Sequence, residues 1–353
     1  MAAPHKKSPK KITPSRTTQK KEFGLYIATS GYTYPECEDG KFYPLGMAER
    51  DRLEFYASKF DSITIKSTFF GQPKVETYQG WLNSVKNNHN FKFIISAPKL
   101  LSHSKTIKNI KDVWDFFWDG KKQRGGCKTL HLQGKLGCIL IEYPPSFCWS
   151  VRNVNKLKTV MKIVPSDLRC AVEFKHWSWW EHQTELCQLF HAFPGWCITT
   201  PYVENGLVDS GWAGNLPSSR VQTSRDPPVP ILVTSKFIFL NFYGTMGKHL
   251  GSYDSNSFLE RTIARIRSCK KNDDIDTVFC SFHNTDSSYC FPLPCMFVMG
   301  IPLKPKIKEL TSHTQIDLPC CLHDARRFEK LWNEIEGCQY RTNESGHIEM
   351  LFV

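Results

Sequence analysis

The chain has 353 residues, is 41% hydrophobic and 13% aromatic, and carries 46 Lys and Arg against 34 Asp and Glu for a formal charge of +12. That apolar content supplies one large core or two ordinary ones and excludes a disordered chain. No apolar run approaches the roughly 18 residues a spanning helix needs, and the first residues lack an apolar signal core. The expectation is therefore a soluble protein of the cytoplasm or nucleus with no membrane partner. Residues 1–22 hold seven Lys or Arg against one Glu and so supply +6, half of the total charge. This tail is too polar to fold alone and is expected to be disordered. It is compatible with an import signal, a nucleic-acid tether, an organelle presequence or a merely solvated segment, with its single Arg weakening the presequence reading. Fourteen cysteines run from Cys37 to Cys338 without a CxxC pair, so zinc-ribbon spacing is absent and reduced thiols are expected. Cys290 with Cys295, and the adjacent Cys320 and Cys321, are the weak metal or redox candidates.

In chain order, Leu25 to Ser30 reads as a first strand, followed by the aromatic loop GYTYPECEDGKFYP. Leu53, Tyr56, Ala57 and Phe60 fall at i, i+3, i+4 and i+7, the stripe of an amphipathic helix. SITIK (62–66) alternates as a second strand, STFFGQP breaks it, and Val75 to Val85 suits a helix. Phe91 to Ser96 is a third strand, Asp112 to Trp118 an aromatic helix, and Leu136 to Tyr143 a fourth strand closed by Pro144 and Pro145. A helix over Val151 to Val164 leads to a fifth strand, Arg169 to Phe174, and residues 181–192 to a sixth, Trp196 to Thr200. Residues 201–230 have no clear period, and loops that long are commonly functional or disordered. Phe237 to Tyr243, a helix at Phe258 to Ile266 and Thr277 to Phe282 complete eight strand–helix alternations. The fold class expected is α/β, a single-domain (β/α)8 barrel over residues 23–300. Residues 301–353 form a C-terminal extension with one helix near Ala325 to Ile335, packed on the barrel or hanging from it.

RCAVEFKHWSWW, residues 169–180, brings an acid, a base and an aromatic wall to one strand end. In a parallel barrel the reactive groups lie at the C-terminal ends of the strands, and strand parity shows which side chains share the inner face. Thr64, Lys66 and Thr68 share one face, as do Ala171, Glu173 and Lys175, Asn241 and Tyr243, and Ser281 and His283. A polar barrel centre is costly unless its groups pair with one another or meet a ligand. Both readings stand at this point: Lys66, Lys175 and Glu173 satisfying one another, or a pocket.

On the pocket reading the catalytic candidates are Glu173 as acid/base, Lys175 as anion holder, and His176 and Tyr243 as proton donors. The ligand-binding candidates are Ser30, Tyr32, Lys66, Ser67, Thr68, His103, Glu142, Trp177, Trp179, Asn241, His283 and Asn284. Glu142 and Glu173 end adjacent strands, which suits paired carboxylates in acid–base work. A divalent metal is compatible with the histidines, but no HExxH or similar spacing supports one, and no other cofactor is indicated. GxGxxG, GxSxG and phosphate-cradling glycine loops are absent, which removes the dinucleotide-binding and nucleophile-elbow signatures. The partner expected is a small polar or anionic ligand, met by a hydrolase or lyase; nucleic acid held by residues 1–22 and a scaffold with a decayed site are the alternatives.

From Leu25 to Gly300 the landmarks TSGYTYPE, KFYP, YASKF, STFF, FKFIISAPKLLSH, LGCILIEYPPSF, AVEFKHWSW, FYG and HNT appear in register. The chain resembles the YecE-like family, domain of unknown function 72, which implies a (β/α)8 barrel and no established activity. Where that family reads VEINSTFY this chain has ITIKSTFF, so Thr64 and Lys66 replace a Glu and an Asn. Lys175 and Asn241 stand where the family has Arg, Tyr243 where it has His, Glu142 where it has Gln, and His283 where it has Asn. Lys cannot reproduce the bidentate fork of Arg, so an altered ligand preference or a decayed centre follows.

Overall fold

Gly24 opens the first strand, β1 (Gly24–Ser30), whose seven residues pass from half-buried at Gly24, Leu25 and Tyr26 to buried at Ile27, Ala28 and Thr29. This computed structural model describes residues 23–34, 37–38, 40–106, 108–202, 212–214, 229–244, 252–253, 256–272, 275–284, 320–337, 339–342 and 348–351. The tail 1–22, most of the 201–230 segment and the Cys290–Cys295 pair lie outside the described residues. β2 (Ser62–Ile65), β3 (Lys92–Ser96), β4 (Leu136–Glu142), β5 (Cys170–Glu173), β6 (Trp196–Tyr202), β7 (Phe237–Phe242) and β8 (Thr277–Phe282) follow, and the eight strands close as one barrel in sequence order. All eight pairings are parallel, including β1 with β8.

Helices α1 (Arg52–Ala57), α3 (Val75–Ser84), α5 (Ile110–Trp118), α7 (Val151–Ile163), α9 (Gln183–His191) and α10 (Asn256–Asn272) stand where the 3.6-residue stripes predict them. The sequence reading missed α2 (Ser67–Phe70), α4 (Lys99–His103), α6 (Lys128–Leu132) and α8 (Ser178–Glu181). Each has four or five residues, too short for a periodic signal. β6 runs two residues beyond the predicted end, through Pro201 to Tyr202.

Parity sorts the core into two shells. Alternate strand residues such as Ile63, Ile139, Val172 and Leu240 pack outward against the helices. Inside the barrel, Ala28, Ile94, Cys138, Leu140, Ala171, Cys197, Phe237, Phe239 and Phe279 form a separate apolar plug. Tyr26 stacks on Phe279 with ring centroids 5.2 Å apart. Cys138, Cys170, Cys197 and Cys280 are buried free thiols, in keeping with their apolar runs; burial pushes all four thiols up from the ordinary cysteine range. Cys321 is likewise buried and free.

The β3–β4 register shifts between Phe93 and Ile94, whose partners are Leu136 and Cys138, so Gly137 is an extra residue on β4. A Cβ there would lie 2.9 Å from both Lys92 Cβ and the Phe279 ring. Gly137→Ala is accordingly expected to cost about 1–3 kcal/mol by overpacking the plug. Chemical denaturation checks this, and an unchanged midpoint would show that the ring yields freely.

The C-terminal helix α11 (Cys320–Gly337) spans more than the predicted 325–335 and packs on β1, β8 and α10. Trp332 stacks on Phe23 at 5.8 Å, and Phe328 meets Phe242 and Phe282 at 5.9 and 6.1 Å. A buried carboxylate fixes it: Asp324 accepts from Ser252 Oγ at 2.6 Å, Tyr253 N at 3.0 Å and Asn284 Nδ2 at 2.6 Å. Strands β9 (Gln339–Thr342) and β10 (Ile348–Leu351), which the sequence reading did not anticipate, pair antiparallel. No helix among the described residues is long and apolar enough to cross a membrane.

Candidate functional site

Above the apolar plug the inward positions turn polar at one level, the C-terminal ends of the strands. Thr64 Oγ1 and Ser281 Oγ meet at 2.7 Å across the barrel. Glu142 and Glu173 are register partners on β4 and β5, so their side chains emerge side by side. Two residues beyond Glu173 comes Lys175, and one residue beyond the end of β2 comes Lys66. Each ammonium has its own carboxylate: Lys66 pairs with Glu142, and Lys175 Nζ lies 3.1 Å from Glu173 Oε1. Glu173 is completely buried. Its other oxygen accepts from Asn241 Nδ2 at 2.8 Å and from the Tyr243 hydroxyl.

A carboxylate only accepts, which fixes the orientation of the Asn241 amide with its nitrogen toward Glu173. The Asn241 oxygen then faces His283 Nε2 at 3.0 Å, so by this network the proton of that imidazole belongs on Nε2. His283 also stacks on Tyr243, centroids 5.0 Å apart, and the Lys175 ammonium lies 5.7 Å from the Tyr243 ring centroid. One buried carboxylate thus positions four side chains. The Glu173 carboxylate holds the Lys175 ammonium above the usual lysine range, outweighing burial and seconded by Glu142. Burial, and then the Glu173 charge, pushes the Tyr243 phenol well above its ordinary value. Lys175 stays charged and Tyr243 stays neutral at physiological pH.

Over this floor lies a cavity of about 450 Å³ lined by Ser30, Tyr34, Lys66, Phe69, Phe70, His103, Glu142, Tyr143, Pro144, Pro145, Lys175, Tyr243 and His283. Burial, followed by the charges of Lys99 and Lys156, lowers the His103 pKa, and its Nδ1 is 2.9 Å from Ser102 Oγ. The Tyr34 and Tyr143 hydroxyls have no hydrogen-bond partner among the described residues. Gly31, at φ +91°, allows the Tyr34 hydroxyl to approach the backbone, since a Cβ there would sit 3.1 Å from it.

Of the residues predicted from sequence, Ser30, Lys66, His103, Glu142, Lys175, Tyr243 and His283 line the cavity, and Glu173 and Asn241 lie beneath it. The others are placed elsewhere, for local reasons. Parity stops where β2 ends at Ile65, and the short helix α2 turns Ser67 to solvent. It also turns Thr68 to donate to the Ser96 carbonyl at 2.6 Å. Tyr32 packs on Tyr56 at 6.3 Å. His176 has the outward parity and holds Ser178, whose N–H donates to its Nδ1 at 3.2 Å.

The predicted aromatic wall is core instead. Trp179 stacks between Phe174 at 4.1 Å and Phe147 at 5.4 Å, and its indole donates to the Phe147 carbonyl at 2.6 Å. Trp177 packs on that same outer core, its N–H donating to the Ala213 carbonyl at 2.8 Å. Asn284 serves the α11 anchor through Asp324. The apolar wall of the cavity comes from Phe69, Phe70 and Tyr143, which were read only as a strand break and a strand end. STFF carries no signal that marks this role, since adjacent aromatics elsewhere, such as Trp179 and Trp180, are both buried, whereas Phe70 is 82% exposed. Among the described residues no cluster of three or more His, Cys, Asp or Glu is placed to hold a metal ion.

A closed parallel barrel defines the class, a (β/α)8 barrel, and its polar, ion-paired cavity lies at the C-terminal mouth, the end where such barrels carry their sites. The family model described as "Protein of unknown function DUF72" matches residues 26–293, and the chain belongs to that family. A DUF72 family protein from Thermotoga maritima MSB8 is 17% identical with a TM-score of 0.60, covering 88% of this chain and 100% of its own. Another from Enterococcus faecalis V583 is 13% identical with a TM-score of 0.58, covering 89% and 99%. At such identities the likeness is one of fold. A search of curated proteins finds no match. Lys66, Glu142, Lys175, Tyr243 and His283, which the resemblance implies are departures from the family pattern, all line the cavity.

Proposed function

We propose that the mouth cavity binds a small polar ligand through Lys66, Lys175, Tyr243 and His283, and that its chemistry is proton transfer of hydrolase or lyase type. The observation that carries this reading is the ion-paired lining itself. Two ammonium groups face one cavity, each held by its own carboxylate, where apolar packing would stabilise a mere scaffold as well or better.

Roles follow from position. Glu173 lies under Lys175 and Tyr243 and is a positioning residue, so proton exchange falls to His103 and Glu142 on the wall. Lowered in pKa, His103 is neutral at pH 7 and suited to act as a base. Lys175, held charged, is an anion or oxygen holder and no amine nucleophile. The two lysines of the lining are balanced by Glu142 on the wall and Glu173 beneath it, which favours hydroxyls and other neutral donors and acceptors over a bare anion.

Thermal shift of wild type and Lys175→Met against a panel of polyhydroxylated and phosphorylated metabolites tests the reading. At least one compound is expected to stabilise the wild type, with affinity about tenfold weaker in the variant, the effect of losing one charge-assisted hydrogen bond. Equal responses from both proteins would reject it.

A further inference from the structure

We infer that a second subsite, beside the mouth, holds the phosphate groups of the same ligand. This inference rests on the mouth reading for the remainder of that ligand. A cavity of about 990 Å³ opens between the segment after α4 and the start of α7, and it shares His103 and Pro144 with the mouth. Its charge differs in kind from that of the mouth. Lys105, Lys108, Arg152 and Lys156 line it, and none of its lining residues is Asp or Glu. Where the mouth pairs every ammonium with a carboxylate, this groove presents four cations with no anion on its wall. Such a surface is complementary to phosphate.

The groove is also held in shape. Lys156, buried on α7, donates to the Ser102 and Ser104 carbonyls at 2.6 Å each. Its ammonium also lies over the Tyr143 and Phe147 rings at 5.8 and 5.5 Å. Burial lowers its pKa to about 8, a cost that an anion in the groove would offset. Arg152 donates to the Lys105 carbonyl at 2.9 Å, tying the same segment to the helix. α7 has 13 residues and begins at the groove, where Ser150 Oγ accepts from the Asn153 N–H at 3.2 Å. That cap leaves the N–H groups of the first turn, and the positive end of the helix dipole, directed at the same space. Mouth and groove then divide one phosphorylated small molecule between them, its neutral part in the balanced cavity and its phosphates in the cationic one.

Inorganic tripolyphosphate is the probe, titrated calorimetrically into the full chain at physiological ionic strength. One saturable site is expected, about tenfold weaker in Arg152→Ala and again in Lys105→Ala. Lys175→Met should bind the probe as wild type does. Both groove residues are exposed, and circular dichroism confirms that the variants fold. Absence of saturable binding overturns the inference, as does equal affinity in the Arg152→Ala, Lys105→Ala double variant, which would move the anion elsewhere, such as to residues 1–22. A single-stranded oligonucleotide binding more tightly, with the same sensitivity to Arg152, would also overturn it by replacing the small ligand with a nucleic acid. Tripolyphosphate bound in this pattern by a protein that answers no polar compound at the mouth would retain the groove and remove the mouth reading, so the two failures separate.

Discussion

Glu173→Ala is expected to lower the unfolding free energy by about 3–5 kcal/mol, the cost of breaking a buried ion pair and leaving its partner behind. The reason is convergence. Asn241, Tyr243 and Lys175 all direct polar hydrogens at this one carboxylate, and the side chain has no exposed surface through which water could take over. Glu173→Gln keeps the volume but turns an NH2 group toward donors, so it should recover only part of the loss. The variant should also change titration. Lys175 is held above the usual lysine range chiefly by Glu173. In the wild type a raised folded pKa contributes stability that is complete below the unfolded value and is lost as pH rises through the folded one. Tyr243, also raised, acts in the same direction. Wild type should therefore lose stability above about pH 10, the ordinary range of both groups. The Glu173→Ala protein should lose less over that window. Chemical denaturation from pH 7 to pH 11 reads both effects, and equal alkaline slopes would show that the network is not coupled as described.

Asp324→Ala carries the second large effect, about 3 kcal/mol by orphaning buried donors, and it acts on the anchor of α11. The carboxyl is fully buried and accepts from Ser252, Tyr253 and Asn284, with Arg327 Nη1 3.8 Å from Oδ1. Burial pushes its pKa up to about 6 against the lowering pull of these partners. The sign is again that of a raised folded pKa: the contribution is full below the unfolded value near 3.8 and is lost as pH rises through about 6. Wild type should hold α11 more tightly at pH 5 than at pH 7.5, and Asp324→Asn should abolish that difference. Hydrogen exchange of the α11 amides at the two pH values measures it. Protection that is independent of pH in the wild type would count against the assignment.

Much of this architecture was legible because barrels write two periods into the chain. Strand parity located Lys66, Glu173, Lys175, Asn241, Tyr243 and His283 on the inner face, its place at a strand end located Glu142, and the structure gathers them within one polar layer. Parity held at Lys66, Tyr243 and His283, each the first residue past its strand, and failed further on, where the backbone turns. Thr68, three residues past Ile65, lies in α2 and is directed at the Ser96 carbonyl, whereas His176 keeps the outward parity of β5, so its assignment to the pocket rests on its place at the strand end alone. The tryptophans of RCAVEFKHWSWW misled for a different reason. An aromatic cluster is the same in composition whether it lines a pocket or fills the layer between strand and helix, and only three-dimensional packing of Trp179 against Phe147 and Phe174 decides. The cationic groove was not legible at all. Its four cations come from two segments, Lys105 and Lys108 on one and Arg152 and Lys156 on the other, and no spacing rule joins them.

Fold and site have separate sources of information. The barrel follows from repetition along the whole chain, whereas the cavity draws its polar groups one or two at a time from separate strand ends. Lys175 shows the difference. From sequence it is a charge next to a charge; in the fold it is an ammonium fixed between a buried carboxylate and a cavity.

The claim that this mouth is a ligand site is tested most directly by native mass spectrometry of the full chain after incubation with a small-molecule cell extract, wild type beside Lys175→Met. A stoichiometric adduct on the wild type, absent from the variant, is the result expected. An identical spectrum for the two proteins, bare or with the same adduct, would contradict it.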